Sequence, residues 1–347
     1  MEDLIKIVTD LTTWYEKNAR QLAWRENPSA YHIWISEIML QQTRVEAVKQ
    51  YYARFIEELP TIEHLANVSE EKLLKLWQGL GYYNRAKNLK KAAIEIMEQH
   101  NGIIPNSYEK LLSLKGIGEY TAGAIASIAF GLPEAAVDGN VIRVLSRLYA
   151  DNRRSIELKK EIAKNIKEVL QHTNPSIFNQ ALMELGALIC FPNGMPKCKE
   201  CPIHTYCKAY AENSVLEFPH KEPKKQRRLE NRIVFGILCK NKVALHKRES
   251  GLLSNLWEFP NILANTENET KKQLLEWSIE YTEIKDMGKA KHIFTHIEWH
   301  MQGYIIKVES FKNNGNFVWA TQEELSKKYA LPSAFGFFER KLSKELI

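Results

Sequence analysis

The chain has 347 residues, 44% of them hydrophobic and 26% charged, and carries a net charge of +6 from 48 basic and 42 acidic side chains. That length allows two domains with their own cores, and the composition excludes a disordered, collagenous or disulfide-scaffold protein. The mild positive charge permits a polyanionic partner without demanding one. No apolar run approaches the length of a membrane span, so a monomeric cytoplasmic protein is expected, nucleoid-associated if the source is bacterial.

The N-terminal stretch MEDLIKIVTDLTTWYEKNAR is charged from its second residue and reads as an amphipathic helix rather than a signal peptide. Apolar residues spaced by three and four predict helices at Leu4–Tyr15, Ile33–Leu40, Val45–Leu59, Leu73–Leu80, Ala86–Met97, Thr121–Phe130, Val141–Tyr149, Ile156–Leu170 and Phe178–Ile189. Gly79, Gly102, Pro105, Gly116, Gly118, Gly131 and Pro133 punctuate them. Residues 1–212 therefore form an all-α domain. Residues 213–231 break the pattern: Lys221, Lys224, Lys225, Arg227 and Arg228 gather around prolines, as in an exposed basic linker. From residue 232 to 347 the pattern becomes a smaller α+β domain. RIVFGILCKNKVALHKR reads as two strands with a turn at Lys240–Lys242, and KAKHIFTHIEWHMQGYIIKVES as a second strand-rich block. Helical patches are expected near Lys271–Trp277, Gln322–Lys328 and Ser333–Leu342.

Four of the five cysteines, Cys190, Cys198, Cys201 and Cys207, follow SIFNQALMELGALIC in the spacing C-x7-C-x2-C-x5-C. A reducing compartment argues against disulfides and for metal ligation. Zinc sites favour paired C-x2-C knuckles and only one is present, so the uneven spacing, with Pro202 after Cys201, favours a cubane iron–sulfur cluster while leaving zinc open. Cys239 lies in a strand and reads as a small buried apolar residue.

A second signal is Leu114–Lys115–Gly116–Ile117–Gly118 ahead of EYTAGAIASIAFG. Two glycines at this spacing let backbone amides approach a phosphate at a helix N-terminus, a grip that ignores sequence. An ordinary helical corner would look the same. Glu37 sits in the apolar stretch WISEIMLQQT, and Asp138 precedes a helix in AVDGNVIRVLSRL. Taken singly they read as a surface charge and an N-cap. Taken together, one carboxylic acid and one carboxylate are the equipment for cleaving a glycosidic bond.

LKGIGEYTAGAIA, VDGNV and the trailing cysteine loop resemble the helix-hairpin-helix DNA glycosylases. WISEIMLQQTRVEAV, WQGLGYYNRAKNL and FNQALMELGALIC narrow the resemblance to the adenine glycosylases of the MutY type, over about Trp14 to Cys207. The family spaces its first two cysteines by six residues; here FPNGMPK gives seven, which puts the shape of that loop in doubt. LWEFPNI, HIFTHIEWHM and PSAFGFF resemble the Nudix-like domain of the same enzymes, more thinly. No R-E-x-x-E-E core accompanies them, so pyrophosphatase activity is not expected.

The resemblance implies excision of adenine mispaired with 8-oxoguanine or guanine in double-stranded DNA, by a protein holding a [4Fe–4S] cluster on the four cysteines. It leaves open whether a monovalent cation joins the hairpin to phosphate. It implies Glu37 as general acid and Asp138 as the carboxylate facing the sugar cation, supported by Asn140 and Tyr120. Arg20, Trp24, Leu40 and Gln180 match the adenine pocket. Gln42 and Tyr82 match side chains that wedge beside the 8-oxoguanine, flanked by Thr43 and Leu80; Gly116 and Gly118 match the phosphate grip. Phe294, Thr295 and His296 match the loop that contacts 8-oxoguanine, although a strand-end turn with a core Phe294 would read the same way. Trp77 is read as core. The glycosylase/lyases resembling endonuclease III carry a lysine where this chain has Tyr120, and a tyrosine forms no Schiff base. A monofunctional enzyme is therefore expected. The alternatives are an endonuclease III-like lyase and a non-catalytic iron–sulfur DNA-binding protein.

Overall fold

Helices begin where the sequence supplies caps. Ser29 accepts from His32 N ahead of Ala30–Leu40, Ser69 from Lys72 N ahead of Glu70–Leu76, and Asn174 from Ile177 N ahead of Pro175–Leu188, which has proline in its first turn. The computed structural model describes residues 2–26, 28–220, 226–264, 266–310 and 317–346. By internal contacts the chain forms two compact units, Met1–Asn67 with Asn88–Pro223, and Val68–Lys87 with Lys224–Ile347. Lys221, Lys224 and Lys225 of the expected linker lie outside the described residues, and strand already begins at Arg228.

The first unit is helical. The expected Leu4–Tyr15 helix is two, Glu2–Lys6 and Val8–Asn18, and short helices at Ala23–Glu26, Ile62–Asn67 and Tyr108–Ser113 add to the expected set. Helix Glu119–Ala124 runs on into a π-helical turn, Ile125–Ala129. Its core joins Leu4, Ile7 and Leu11 to Val141, Val144, Leu145 and Leu148 of helix Gly139–Tyr149 and to Phe178, Leu182 and Leu185 of Pro175–Leu188. Burying a side chain of this size contributes about 1.5–3 kcal/mol, so the helix that starts at Asp138 is firmly anchored.

The second unit is a mixed sheet of β1 Arg228–Cys239, β2 Lys242–Lys247, β3 Trp257–Glu258, β4 Asn261–Leu263, β5 Glu283–Ile293, β6 Ile297–Lys307 and β7 Val318–Ala320. The order is β3-β2-β1-β6-β5, with β4 on β1 and β7 on β2. β1 alternates faces. Val234 and Leu238 pack with Trp299, Phe335 and Phe338; Ile233, Phe235 and Ile237 pack with Leu274 and Trp277 on the other side. Both faces are thus buried, which is why β1 reads as a continuous apolar run. β5 and β6 form an antiparallel hairpin whose last register pair, Ile293↔Glu298, leaves Phe294–Thr295–His296 at its tip. Cys239 is fully buried, as its place in a strand implied.

Within this unit, helix Glu70–Leu76 stops four residues short of the expected Leu80. Gly79 (φ 102°) and Gly81 (φ 71°) take the left-handed region, where only glycine is unstrained, and the chain turns there. Trp77 is fully buried, as read from the sequence. Lys75 Nζ donates to Leu325 O (2.8 Å) and Tyr329 O (3.0 Å), and Lys87 Nζ to Ser254 O (2.7 Å), fixing this segment to the sheet unit.

Candidate active site and cysteine pocket

A pocket of about 960 Å³ opens in the helical unit between helices Ala30–Leu40, Glu119–Ala124, Gly139–Tyr149 and Pro175–Leu188. It brings together Arg20, Trp24, Glu37, Leu40, Gln42, Thr43, Tyr120, Asp138, Asn140 and Gln180. Ten positions named from the sequence thus share one cavity. Leu80 and Tyr82 belong to the other unit, where Leu80 is buried and Tyr82 is 49% exposed.

Glu37 is only 6% exposed in an apolar helix. Burial pushes its carboxyl up to about 7; the Tyr120 hydrogen bond opposes that rise, Asp138 adds to it and Arg25 works against it. The Tyr120 hydroxyl donates to Glu37 Oε2 and also lies 3.3 Å from Met183 Sδ. At neutral pH this site therefore keeps a large share of Glu37 protonated. Burial drives the Tyr120 phenol well above its ordinary range, so it remains a neutral donor.

Asp138 caps helix Gly139–Tyr149. Its Oδ1 accepts from Val141 N (2.8 Å) and its Oδ2 from Asn140 Nδ2 (2.6 Å). Burial raises its carboxyl, while the Val141 and Asn140 donors and Arg143 pull it back. The orientation of Asn140 is not arbitrary: its Oδ1 accepts from Arg143 Nη2 (2.9 Å), so its amide NH2 must face Asp138. Both Asp138 oxygens accept N–H donors here, and these two hydrogen bonds stabilise its charged form against the effect of burial. This arrangement favours the carboxylate.

Arg143 also donates to Gly186 O (2.9 Å) and, through Nε, to Cys190 O (2.8 Å), so one buried guanidinium joins Asn140 to the first cysteine. Helix Pro175–Leu188 approaches closely only because residue 186 lacks a side chain: a Cβ there would lie 2.6 Å from Asn140 Cβ and 3.3 Å from Arg143 Nη2. Gly186→Ala is accordingly expected to lower the excision that the sequence resemblance implies about tenfold or more while costing about 1–3 kcal/mol of stability. Single-turnover kinetics beside thermal unfolding check this; unchanged kinetics in a destabilised variant would detach Asn140 from the reaction.

Arg25 and Glu184 also line the pocket and were missed from the sequence. Glu184, 1% exposed, meets Arg20 (Nη2–Oε2 2.8 Å) and Arg25 (Nη2–Oε2 2.8 Å). Burial opposes its charge, but hydrogen bonds from Arg20 and Arg25 hold its carboxyl at about 2. An acid inside the apolar FNQALMELGALIC is the same signal that singled out Glu37. Gln180 is turned to its own helix, Nε2 donating to Ser176 Oγ (3.2 Å), and Trp24 packs edge-on to Tyr52.

The hairpin glycines differ. Gly116 (φ 81°) is pressed against Asn88, where a Cβ would lie 2.6 Å from Asn88 Cβ, whereas Gly118 is the open N-cap of helix Glu119–Ala124. In the sheet unit, Phe294 packs edge-on to Trp299 (4.8 Å between centroids), while Thr295 and His296 are exposed. Thr295 Oγ1 lies 3.3 Å from the Tyr82 hydroxyl.

Cys190, Cys198, Cys201 and Cys207 line a second pocket, walled by Leu148, Leu185, Ile203 and Val215. Arg147 Nη1 donates to Cys190 Sγ (3.2 Å). Burial pushes the Cys201 thiol up to about 12. The seven-residue loop between the first two cysteines is closed by Lys197 N on Ile189 O (3.0 Å), and Gly194 (φ 72°) turns it within that closure. Among the described residues no group of three or more His, Cys, Asp or Glu is placed to hold a single metal ion, and no helix is long and apolar enough to cross a membrane.

Residues 35–172 match the family model described as HhH-GPD superfamily base excision DNA repair protein, and residues 233–336 match the NUDIX domain model. An adenine DNA glycosylase of Buchnera aphidicola subsp. Baizongia pistaciae is 37% identical, over 89% of this chain and 89% of that one. The Homo sapiens adenine DNA glycosylase is 33% identical over 86% of this chain and 66% of its own length. A thermostable thymine-DNA glycosylase superposes with a TM-score of 0.56 at 28% identity, covering 61% of this chain and 98% of that one.

Proposed function

The chain belongs to the adenine DNA glycosylases, helix-hairpin-helix enzymes of base excision repair with a Nudix-like C-terminal domain, and from that premise we propose which residues carry the reaction and on which mispair. It is a monofunctional N-glycosylase. The substrate is double-stranded DNA in which adenine faces 8-oxoguanine or, more slowly, guanine. The adenine leaves the stack to enter the 960 Å³ pocket, since neither carboxyl reaches the bond inside a duplex.

Glu37 gives its proton to a ring nitrogen of adenine. The C1′–N bond then breaks with its electron pair going to the base, and the Asp138 carboxylate stabilises the sugar cation. Water adds to C1′ and loses a proton to the Glu37 carboxylate, which restores the acid. The observation that carries this reading is the contrast inside one pocket. Glu37 is held at about 7, so it keeps a proton near neutrality, while Asp138 has both oxygens committed to N–H donors.

Tyr120 holds the Glu37 carboxyl and Asn140 the Asp138 carboxylate. Arg20, Trp24, Leu40 and Gln180, with Arg25 and Glu184, form the adenine pocket. Gly118 offers amides to phosphate, Gly116 shapes the turn before it, and Gln42, Thr43, Tyr82, Thr295 and His296 face the opposite base. Leu80 and Phe294, in the sheet unit, are likewise assigned to DNA contact. Residues 1–212 and 232–347 are proposed as the two functional domains, although Val68–Lys87 groups by contact with the second.

We propose a [4Fe–4S] cluster on Cys190, Cys198, Cys201 and Cys207. All four thiols line one apolar pocket, and their uneven spacing, with a single C-x2-C pair, suits a cubane cluster better than zinc. When bound, the cluster supplies a covalent staple for the loop from residue 190 to residue 207. Arg147 sits ready to donate to a ligating sulfur.

Gel-based excision on defined duplexes tests the assignment. Adenine opposite 8-oxoguanine and opposite guanine is expected to be removed, thymine glycol opposite adenine left alone, and strands broken only after alkali. Prompt nicking with a borohydride-trapped covalent complex would overturn the monofunctional reading and favour a glycosylase/lyase that uses an amine elsewhere in the chain.

A further inference from the structure

The Trp77–Tyr83 turn holds one strained residue, Tyr82. Gly79 (φ 102°), Gly81 (φ 71°) and Tyr82 (φ 48°) all lie in the left-handed region. For Tyr82, which has a Cβ, that conformation is unfavourable and persists only where neighbours over-determine it. The neighbour that does so is Arg85, from the first turn of the following helix. Its Nη2 donates to Leu80 O (3.1 Å) and to Gly81 O (3.1 Å). Its guanidinium stands over the rings of Trp77 (5.4 Å to the centroid) and Tyr82 (5.6 Å). Trp77 Nε1 donates to Gly81 O (3.1 Å) and closes the same turn from the other side.

On the reading that Tyr82 enters the duplex beside the base opposite adenine, we propose that Arg85 is a positioning residue for it. Arg85 fixes the strained backbone through two carbonyls and supports the tyrosine ring through its flat face. The hydroxyl end of the ring meets Thr295. Tyr82, 49% exposed, is therefore held at its backbone, ring and hydroxyl before any DNA arrives. Lysine cannot substitute. It offers a point charge rather than a planar fork, so it cannot reach both carbonyls and stack on both rings together. None of these contacts touches the adenine pocket. Arg85 should govern recognition of the opposite base and leave the acid–base chemistry alone.

The test is a double-mutant cycle in the full-length, cluster-loaded protein with Arg85→Lys, Tyr82→Leu and the pair. Two readouts are used: the ratio of single-turnover excision rates opposite 8-oxoguanine and opposite guanine, and the fluorescence of a 2-aminopurine placed beside the 8-oxoguanine, which brightens when a side chain unstacks it. Arg85→Lys is expected to lower the ratio roughly tenfold and to dim the fluorescence, from loss of one carbonyl contact and the ring stacking. In the Tyr82→Leu background the same change should cost nothing further. A loss of equal size in both backgrounds would mean that Arg85 stabilises the fold without acting through Tyr82, and would overturn the proposal. If Tyr82→Leu alone alters neither readout, the assignment of Tyr82 to the duplex fails and this proposal falls with it. Should Arg85→Lys fold poorly, Arg85→Met, which retains an unbranched stem, is read in the same cycle.

Discussion

Glu37→Gln leaves the protein folded and able to bind its mispair but lowers adenine excision by roughly 10²- to 10⁴-fold, the usual worth of a general acid. The amide keeps an acceptor for the Tyr120 hydroxyl and has no proton to give. A pH profile of the wild type supplies the companion measurement. With the carboxyl at about 7, the single-turnover rate should be flat on the acid side and fall about tenfold per unit well above pH 7. Stability has a matching sign. The folded value lies above the ordinary 4.5, so the folded state binds the extra proton. That contribution is complete below 4.5 and is lost as pH rises through about 7, amounting to about 3 kcal/mol in all. Glu37→Gln carries no charge to bury and should escape this loss, becoming more stable than the wild type at pH 8 while inactive. Substantial excision by the variant, or a wild-type profile flat to pH 9, would remove Glu37 from the acid role.

Those expectations began with an acid in an apolar helix, and that pattern marks where local sequence was informative. Glu37 and the cysteines could be picked out because each breaks a local rule: charge within WISEIML, four thiols in one stretch; Asp138 obeys one, as a helix cap, and stood out only through the resemblance of VDGNV. The same rule would have found Glu184 in ALMELGAL and Arg143 in VIRVLSRL. Glu184's partner Arg20 and Arg143's acceptors Gly186 O and Cys190 O lie far away in sequence, so the reason for each charge is visible only after packing. β1 was legible as an apolar run, and β6 with the second half of β5 as a strand-rich block, whereas β3, β4 and β7, two or three residues each, are too short to show a period. The Val68–Lys87 segment shows the limit most clearly. Its helical texture matches the domain that surrounds it in sequence, but Lys75 and Lys87 bond carbonyls roughly 170 to 250 positions later. No local pattern carries such a contact.

Asp138→Asn is expected to reduce single-turnover excision by roughly 10²- to 10³-fold or more, with little loss of fold, because the charge it removes is the one proposed to face the sugar cation. The structure separates the two jobs of this residue. As a cap it accepts from Val141 N, and asparagine caps a helix about as well as aspartate. As a carboxylate it receives the Asn140 amide, and here asparagine fails. Arg143 holds Asn140 Oδ1, so Asn140 cannot flip, and the new amide of residue 138 would set one NH2 against another unless the whole chain of contacts from Arg143 is disturbed. The expected result is thus a near-normal melting temperature with a collapsed rate. Combining Asp138→Asn with Asn140→Asp tests the geometry further. The double variant restores a carboxylate and an amide as neighbours with their places exchanged, but puts a carboxylate against Arg143 and leaves residue 138 uncharged. The double variant should keep a melting temperature near that of the wild type and remain inactive. Recovery of excision would show that any carboxylate at this helix N-terminus serves, and would take from Asp138 the specific place assigned to it opposite the sugar.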